Sequence, residues 1–85
     1  MSVRVKFLGF RMEKGLTYKE FGERCGINSM TISNIENGII VTPTNSTIYK
    51  LFSTFPELAE ICKDEFQQCS EIVESFINRK SHPGE

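Results

Sequence analysis

With 85 residues, 39% of them hydrophobic and 25% charged, the chain has the composition of one small globular domain and falls outside the disordered class. No apolar run approaches the roughly 18 residues that a membrane span needs, and Met1–Lys6 has neither the apolar core nor the cleavage site of a signal peptide. The formal net charge of −1 hides an asymmetry: residues 1–50 carry seven Lys and Arg against four Asp and Glu, while residues 51–85 carry three against seven, so a basic face is expected on the first half.

Val3, Phe7 and Phe10 recur at steps of four and three. They predict a first helix from Ser2 or Val3 to Lys14 with these three on its buried stripe, ended by Gly15. Leu16–Phe21 contains a capping box, in which Thr17 and Glu20 satisfy each other's backbone N–H groups while Leu16 and Phe21 staple the helix start. A second helix therefore spans Tyr18 to Cys25, with Phe21, Gly22 and Cys25 inward. Gly22 lies mid-helix, where it costs about 1 kcal/mol against Ala, and close approach of the next helix is the expected compensation. Gly26 sits where a tight turn is needed. Asn28 is a good N-cap, and Ile27 and Ile32 form a second staple. The third helix spans about Ser29 to Asn37, with Ile32 and Ile35 inward, and Gly38 ends it. Two short helices around a glycine turn make a helix-turn-helix unit, whose usual use is to place its second helix in a DNA major groove.

Ile39–Thr44 is β-branched but broken by Pro43 and reads as an extended loop. A fourth helix is expected from Thr44 or Asn45 to Thr54, burying Ile48, Leu51 and Phe52. Pro56 then opens a last helix running to Lys80, with Glu57 and Glu60 suiting its start and Arg79 and Lys80 its end. Ala59, Cys62, Phe66, Cys69, Val73 and Phe76 form a heptad-like seam along it, widened by Ile61, Ile72 and Ile77. Part of so wide a stripe is expected to pack on the bundle, and part, through Phe66, Cys69, Val73 and Phe76, to pair with a second subunit. The alternative is that one chain buries all of it. The expected organisation is an all-α five-helix bundle: a helix-turn-helix domain over residues 1–55, a long C-terminal packing and dimerisation helix over residues 56–80, and a frayed tail over residues 81–85 in which His82 has no role.

Cys25, Cys62 and Cys69 are odd in number and lie in no Cys/His cluster, which argues against a disulfide framework and against zinc. Each falls at an apolar position of a helical pattern and reads as a small buried hydrophobe, consistent with a reducing, cytoplasmic compartment. The single His, with no Ser/His/Asp set, no phosphate-cradling glycine loop and no metal spacing, leaves no catalytic residues to nominate; no enzyme activity, metal or cofactor is expected.

Phe7, Phe10, Arg11, Lys14-Gly15-Leu16-Thr17, Glu20-Phe21-Gly22, Gly26-Ile27-Asn28, Thr31-Ile32-Ser33, Ile35-Glu36-Asn37-Gly38, Pro43-Thr44 and Thr47-Ile48 to Leu51 together carry a family pattern. Over residues 7 to about 55 the chain resembles the phage repressor–Cro (XRE) family of helix-turn-helix domains; the last helix lies outside the shared pattern. The resemblance implies a bundle of the lambda-repressor-like DNA-binding type and a structural salt bridge between Arg11 and Glu36. It places Ser29, Met30, Ser33 and Asn34 at base edges, with Asn34 suited to a bidentate contact with adenine and Met30 to a thymine methyl. Tyr18, Lys19, Thr31, Asn37 and the backbone N–H groups of the Ile39–Thr44 loop become the phosphate contacts.

The loop after Gly38, commonly basic in relatives, holds no Lys or Arg here. Either Arg4, Lys6, Lys19 and Arg24 supply the charge, or an exposed Ile39/Ile40/Val41 patch meets a protein or the second subunit. The expected function is a sequence-specific regulator of transcription, a repressor, binding double-stranded DNA as a homodimer on a partly palindromic operator; the protein is expected to be cytoplasmic and either bacterial or phage-encoded. The alternative is a protein-interaction module on the same scaffold: an antirepressor, an antitoxin or a sensor accessory.

Overall fold

The computed structural model describes residues 3–81, and its helices run α1 Val5–Glu13, α2 Tyr18–Cys25, α3 Ser29–Glu36, α4 Asn45–Thr54, α5 Glu57–Ile61 and α6 Ser70–Ser81, with a 3-10 turn at Gln67–Cys69 before α6. Among the described residues there is no strand, and no helix is long and apolar enough to cross a membrane. Ser81 ends α6; the rest of the expected tail, from His82 to Glu85, lies outside the described residues, as do the side chains of Arg79 and Lys80.

The local signals act where they stand. Thr17 Oγ1 accepts from Glu20 N at 3.1 Å and Glu20 Oε1 accepts from Thr17 N at 2.9 Å, closing the capping box of α2. Asn28 Oδ1 accepts from Met30 N at 2.8 Å and starts α3. Thr44 Oγ1 accepts from Thr47 N and starts α4. Gly26 takes φ +73°, a conformation in which a β-carbon would clash with the backbone, and this turns the chain from α2 into α3.

One core runs through the molecule along the phenylalanines. Phe7 meets Phe21 at 5.4 Å and Phe66 at 6.1 Å between ring centroids; Phe21 stacks on Phe55 at 5.0 Å; Phe52 meets Phe66 and Phe76 edge-on at 5.6 and 5.7 Å. Cys25, Cys62 and Cys69 are free and buried in this core. Burial pushes the Cys25 thiol up to about 11 and the Cys62 thiol up to about 12.

Val3 is exposed; α1 starts at Val5, and Arg4 takes the inward place before it. The long C-terminal helix is broken after Ile61 and resumes at Ser70. A straight helix over residues 56–80 would be about 37 Å long. The break turns both halves of the seam onto the core, α5 packing on α1 and α4, and α6 on α4 and α5. It also brings Glu65 to the start of α1, where its carboxylate accepts from Lys6 N at 2.8 Å and Phe7 N at 3.1 Å and caps a helix whose own N-cap residue makes no side-chain cap. Phe66, Cys69, Val73 and Phe76, assigned to a subunit contact, are each 8% exposed or less within a single chain. The alternative, burial of the whole seam by one chain, describes these four side chains.

Candidate nucleic-acid interface

The second helix of the motif is fixed from its inner side. Ile32 and Ile35 are fully buried, and Glu36, only 1% exposed, anchors the end of α3. Arg11 Nε lies 2.9 Å from Glu36 Oε1 and Arg11 Nη2 lies 3.3 Å from Oε2, while Arg11 Nη1 donates to Leu16 O at 2.8 Å. Tyr18 donates its hydroxyl proton to Glu36 Oε2 at 2.6 Å, and the guanidinium carbon sits 4.3 Å from the centre of the Tyr18 ring. One buried carboxylate thus joins α1, the start of α2 and the end of α3. The hydrogen bond and charge of Glu36 hold the Arg11 pKa above its ordinary value against partial burial. No buried side-chain polar atom among the described residues lacks a partner, so the cluster is fully satisfied.

The outer side of α3 is presented to solvent. Ser29 and Met30 are exposed, Met30 by 69%, and Thr31, Ser33, Asn34 and Asn37 are half-buried. Of the four residues nominated for base edges, Ser29 and Met30 are exposed at the start of α3, and Ser33 and Asn34, one turn on, are half-buried. A thioether so far out of water-excluding contact is available to pack on another surface, and the Ser and Asn groups beside it can donate or accept.

The phosphate candidates divide. Lys19 is exposed and forms no salt bridge among the described residues. Thr31 is half-buried on α3. Tyr18 is corrected: its proton is committed to Glu36, so it supports the anchor instead of reaching outward. Asn37 is corrected likewise, because its Nδ2 donates to Ser33 O at 2.9 Å and Ser33 Oγ at 3.3 Å and closes the end of α3.

The supply of positive charge is also redistributed. Lys6 pairs with Asp64 at 2.8 Å and Lys14 lies 3.7 Å from Glu57. Arg4 is 7% exposed and reaches no outer surface. Lys19 and Arg24, both exposed on α2, are what remains of the four cations considered. In the loop, Ile39 and Val41 are exposed, whereas Ile40 turns inward and packs against the core.

The arrangement is that of the helix-turn-helix motif, and a family model described as Helix-turn-helix matches residues 10–60. The chain belongs to that family, the XRE or Cro/C1-type helix-turn-helix proteins. The match covers α2, α3, α4 and most of α5, and α6 lies beyond it. No curated protein and no solved structure matches the chain. This XRE-type protein is thus a helix-turn-helix DNA-binding regulator, of a family that is not one of enzymes.

Arg4 and Glu65 escaped sequence reasoning. Each binds groups about 30 to 60 positions away, and neither residue carries a local pattern that announces its partners.

Proposed function

We propose that this protein is a sequence-specific transcriptional repressor that binds a partly palindromic operator as a homodimer, with α3 in the major groove. The observation that carries the reading is the two-sided character of α3: an inner side locked by Ile32, Ile35 and Glu36, and an outer side that presents Met30 beside Ser29, Ser33 and Asn34. In this reading Asn34 meets adenine, Met30 packs on a thymine methyl, and Ser29 and Ser33 accept or donate at neighbouring base edges. Lys19 and Thr31 meet phosphates. With Phe66, Cys69, Val73 and Phe76 buried inside one chain, the exposed Ile39 and Val41 of the loop beside α3 are assigned to the second subunit in this reading. Two recognition helices about one turn of DNA apart would occlude the polymerase.

A second reading, a protein-interaction module, is favoured by one observation: the loop after α3 exposes Ile39 and Val41 and carries no cation. Fluorescence anisotropy on duplexes selected by the protein separates the two. Met30→Ala with Asn34→Ala should abolish sequence preference while Ile39→Ser with Val41→Ser retains base preference. No preference among duplexes by the folded wild type supports the interaction module.

A further inference from the structure

Arg4 is buried, yet it makes no salt bridge among the described residues; its guanidinium is fanned over four backbone carbonyls. Nη1 donates to Ile35 O and, at 3.0 Å, to Ile40 O; Nη2 donates to Val41 O at 2.6 Å; Nε donates to Glu65 O at 3.0 Å. Its own backbone N–H donates to Glu36 O at 2.8 Å, and the guanidinium carbon stands 4.7 Å from the centre of the Phe66 ring. One residue therefore holds the last carbonyls of α3 through its side chain and its backbone N–H, and its side chain also holds two successive carbonyls of the loop that follows and the break in the C-terminal segment.

The consequence lies in the peptide planes. No peptide bond among the described residues is cis. In a trans peptide the C=O of one residue and the N–H of the next point in opposite directions. Drawing Ile40 O and Val41 O inward onto Arg4 must turn the N–H groups of Val41 and Thr42 outward. Both residues are exposed, and neither N–H has an acceptor within the chain among the described residues. Ile40 N, by contrast, is used internally, donating to Asn34 O at 3.0 Å. A cation bound to the carbonyl end of each peptide also polarises it, leaving the outer N–H end more positive.

We propose that Arg4 is a positioning residue for DNA: by holding the Ile40 and Val41 carbonyls inward it presents the Val41 and Thr42 N–H groups as a phosphate contact in a loop that has no Lys or Arg of its own. The role rests on the DNA-binding reading above. It accounts for a loop that is neutral in sequence beside a recognition helix, and it gives the C-terminal segment, through Glu65 O and Phe66, a part in shaping the interface.

The test is a titration of the isotope-labelled protein with a random-sequence 30-base-pair duplex at low salt, followed through backbone amide resonances. Val41 and Thr42 amides should shift together with those at the start of α3 in the wild type. In Arg4→Lys, which keeps the charge but not the fan of donors, the Val41 and Thr42 shifts should be lost and affinity should fall about tenfold, as for loss of one charge-assisted hydrogen bond. Shifts on α3 with silent Val41 and Thr42 amides in the wild type would overturn the Arg4 role alone, and that measurement decides even if Arg4→Lys does not fold. Val41 and Thr42 shifts that persist in Arg4→Lys would also overturn it. No shift anywhere on adding duplex would overturn both this role and the DNA-binding reading.

Discussion

Gly22 lies against the carbonyl of Ile27 so closely that a β-carbon built on it would stand 2.3 Å from that oxygen and 3.3 Å from Ser29 N. The contact is with the turn and the first residue of α3, so it sets how closely α2 approaches the recognition helix. Gly22→Ala gains about 1 kcal/mol in helix propensity. The backbone must move to admit the methyl group, at about 3 kcal/mol for overpacking against atoms that cannot rotate away. A net loss of about 2 kcal/mol should appear as a lower urea midpoint with an unchanged slope.

The Arg11–Glu36 pair should be the most costly polar interaction to break. Glu36→Ala leaves the Arg11 guanidinium and the Tyr18 hydroxyl without their shared acceptor, and removing one partner of a buried pair costs about 3 kcal/mol or more. Tyr18→Phe removes one hydrogen bond and should cost about 1 kcal/mol. A double-mutant cycle between these positions, read by urea unfolding, should show coupling rather than additivity.

The helix-start contacts predict a smaller effect and an acid limb. Thr17→Ala should cost about 1 kcal/mol through loss of the α2 cap. The Thr17 N–H holds the Glu20 carboxyl below its usual pKa. Its contribution is therefore present above the ordinary glutamate value and is lost as pH falls through the lowered folded value. Unfolding midpoints measured from pH 7 to pH 3 should show this loss in the wild type and a shallower one in Glu20→Gln.

At the alkaline end the cysteines govern. An unfolded thiol ionises near pH 8.5, while burial keeps Cys25 protonated to about 11 and Cys62 to about 12. Above about pH 8.5 the unfolded chain releases protons that the folded chain retains, so stability falls with rising pH. The urea midpoint should decline from pH 8 to pH 10.5, and Cys25→Ala with Cys62→Ala should flatten that decline. Native thiols should react with a disulfide reagent only at the rate of unfolding.

The elements from α2 to α4 follow from signals within a few residues of where they act: a capping box at Thr17 and Glu20, N-caps at Asn28 and Thr44, and a left-handed glycine at 26. The apolar periodicity of the C-terminal segment also identifies its buried residues, from Ala59 to Phe76. Periodicity does not encode where a helix breaks. At that break Glu65 caps α1 and Arg4 holds Glu65 O, contacts between residues about 60 positions apart in the chain. For the same reason net charge misplaces Arg4 and Lys6, which are absorbed by the carbonyl fan and by Asp64. Tyr18 and Asn37 are used inside the fold, because a polar side chain near an interface in sequence can equally serve the backbone or a buried carboxylate behind it.

Base recognition by the outer side of α3 is tested by selecting duplexes from a random library with the wild type and with Met30→Ala/Asn34→Ala in parallel. The wild type should enrich one partly palindromic motif with half-sites about one helical turn apart, and the double variant, folded to the same extent, should lose it. Enrichment of no motif by the folded wild type, or of the same motif by both proteins, would contradict it.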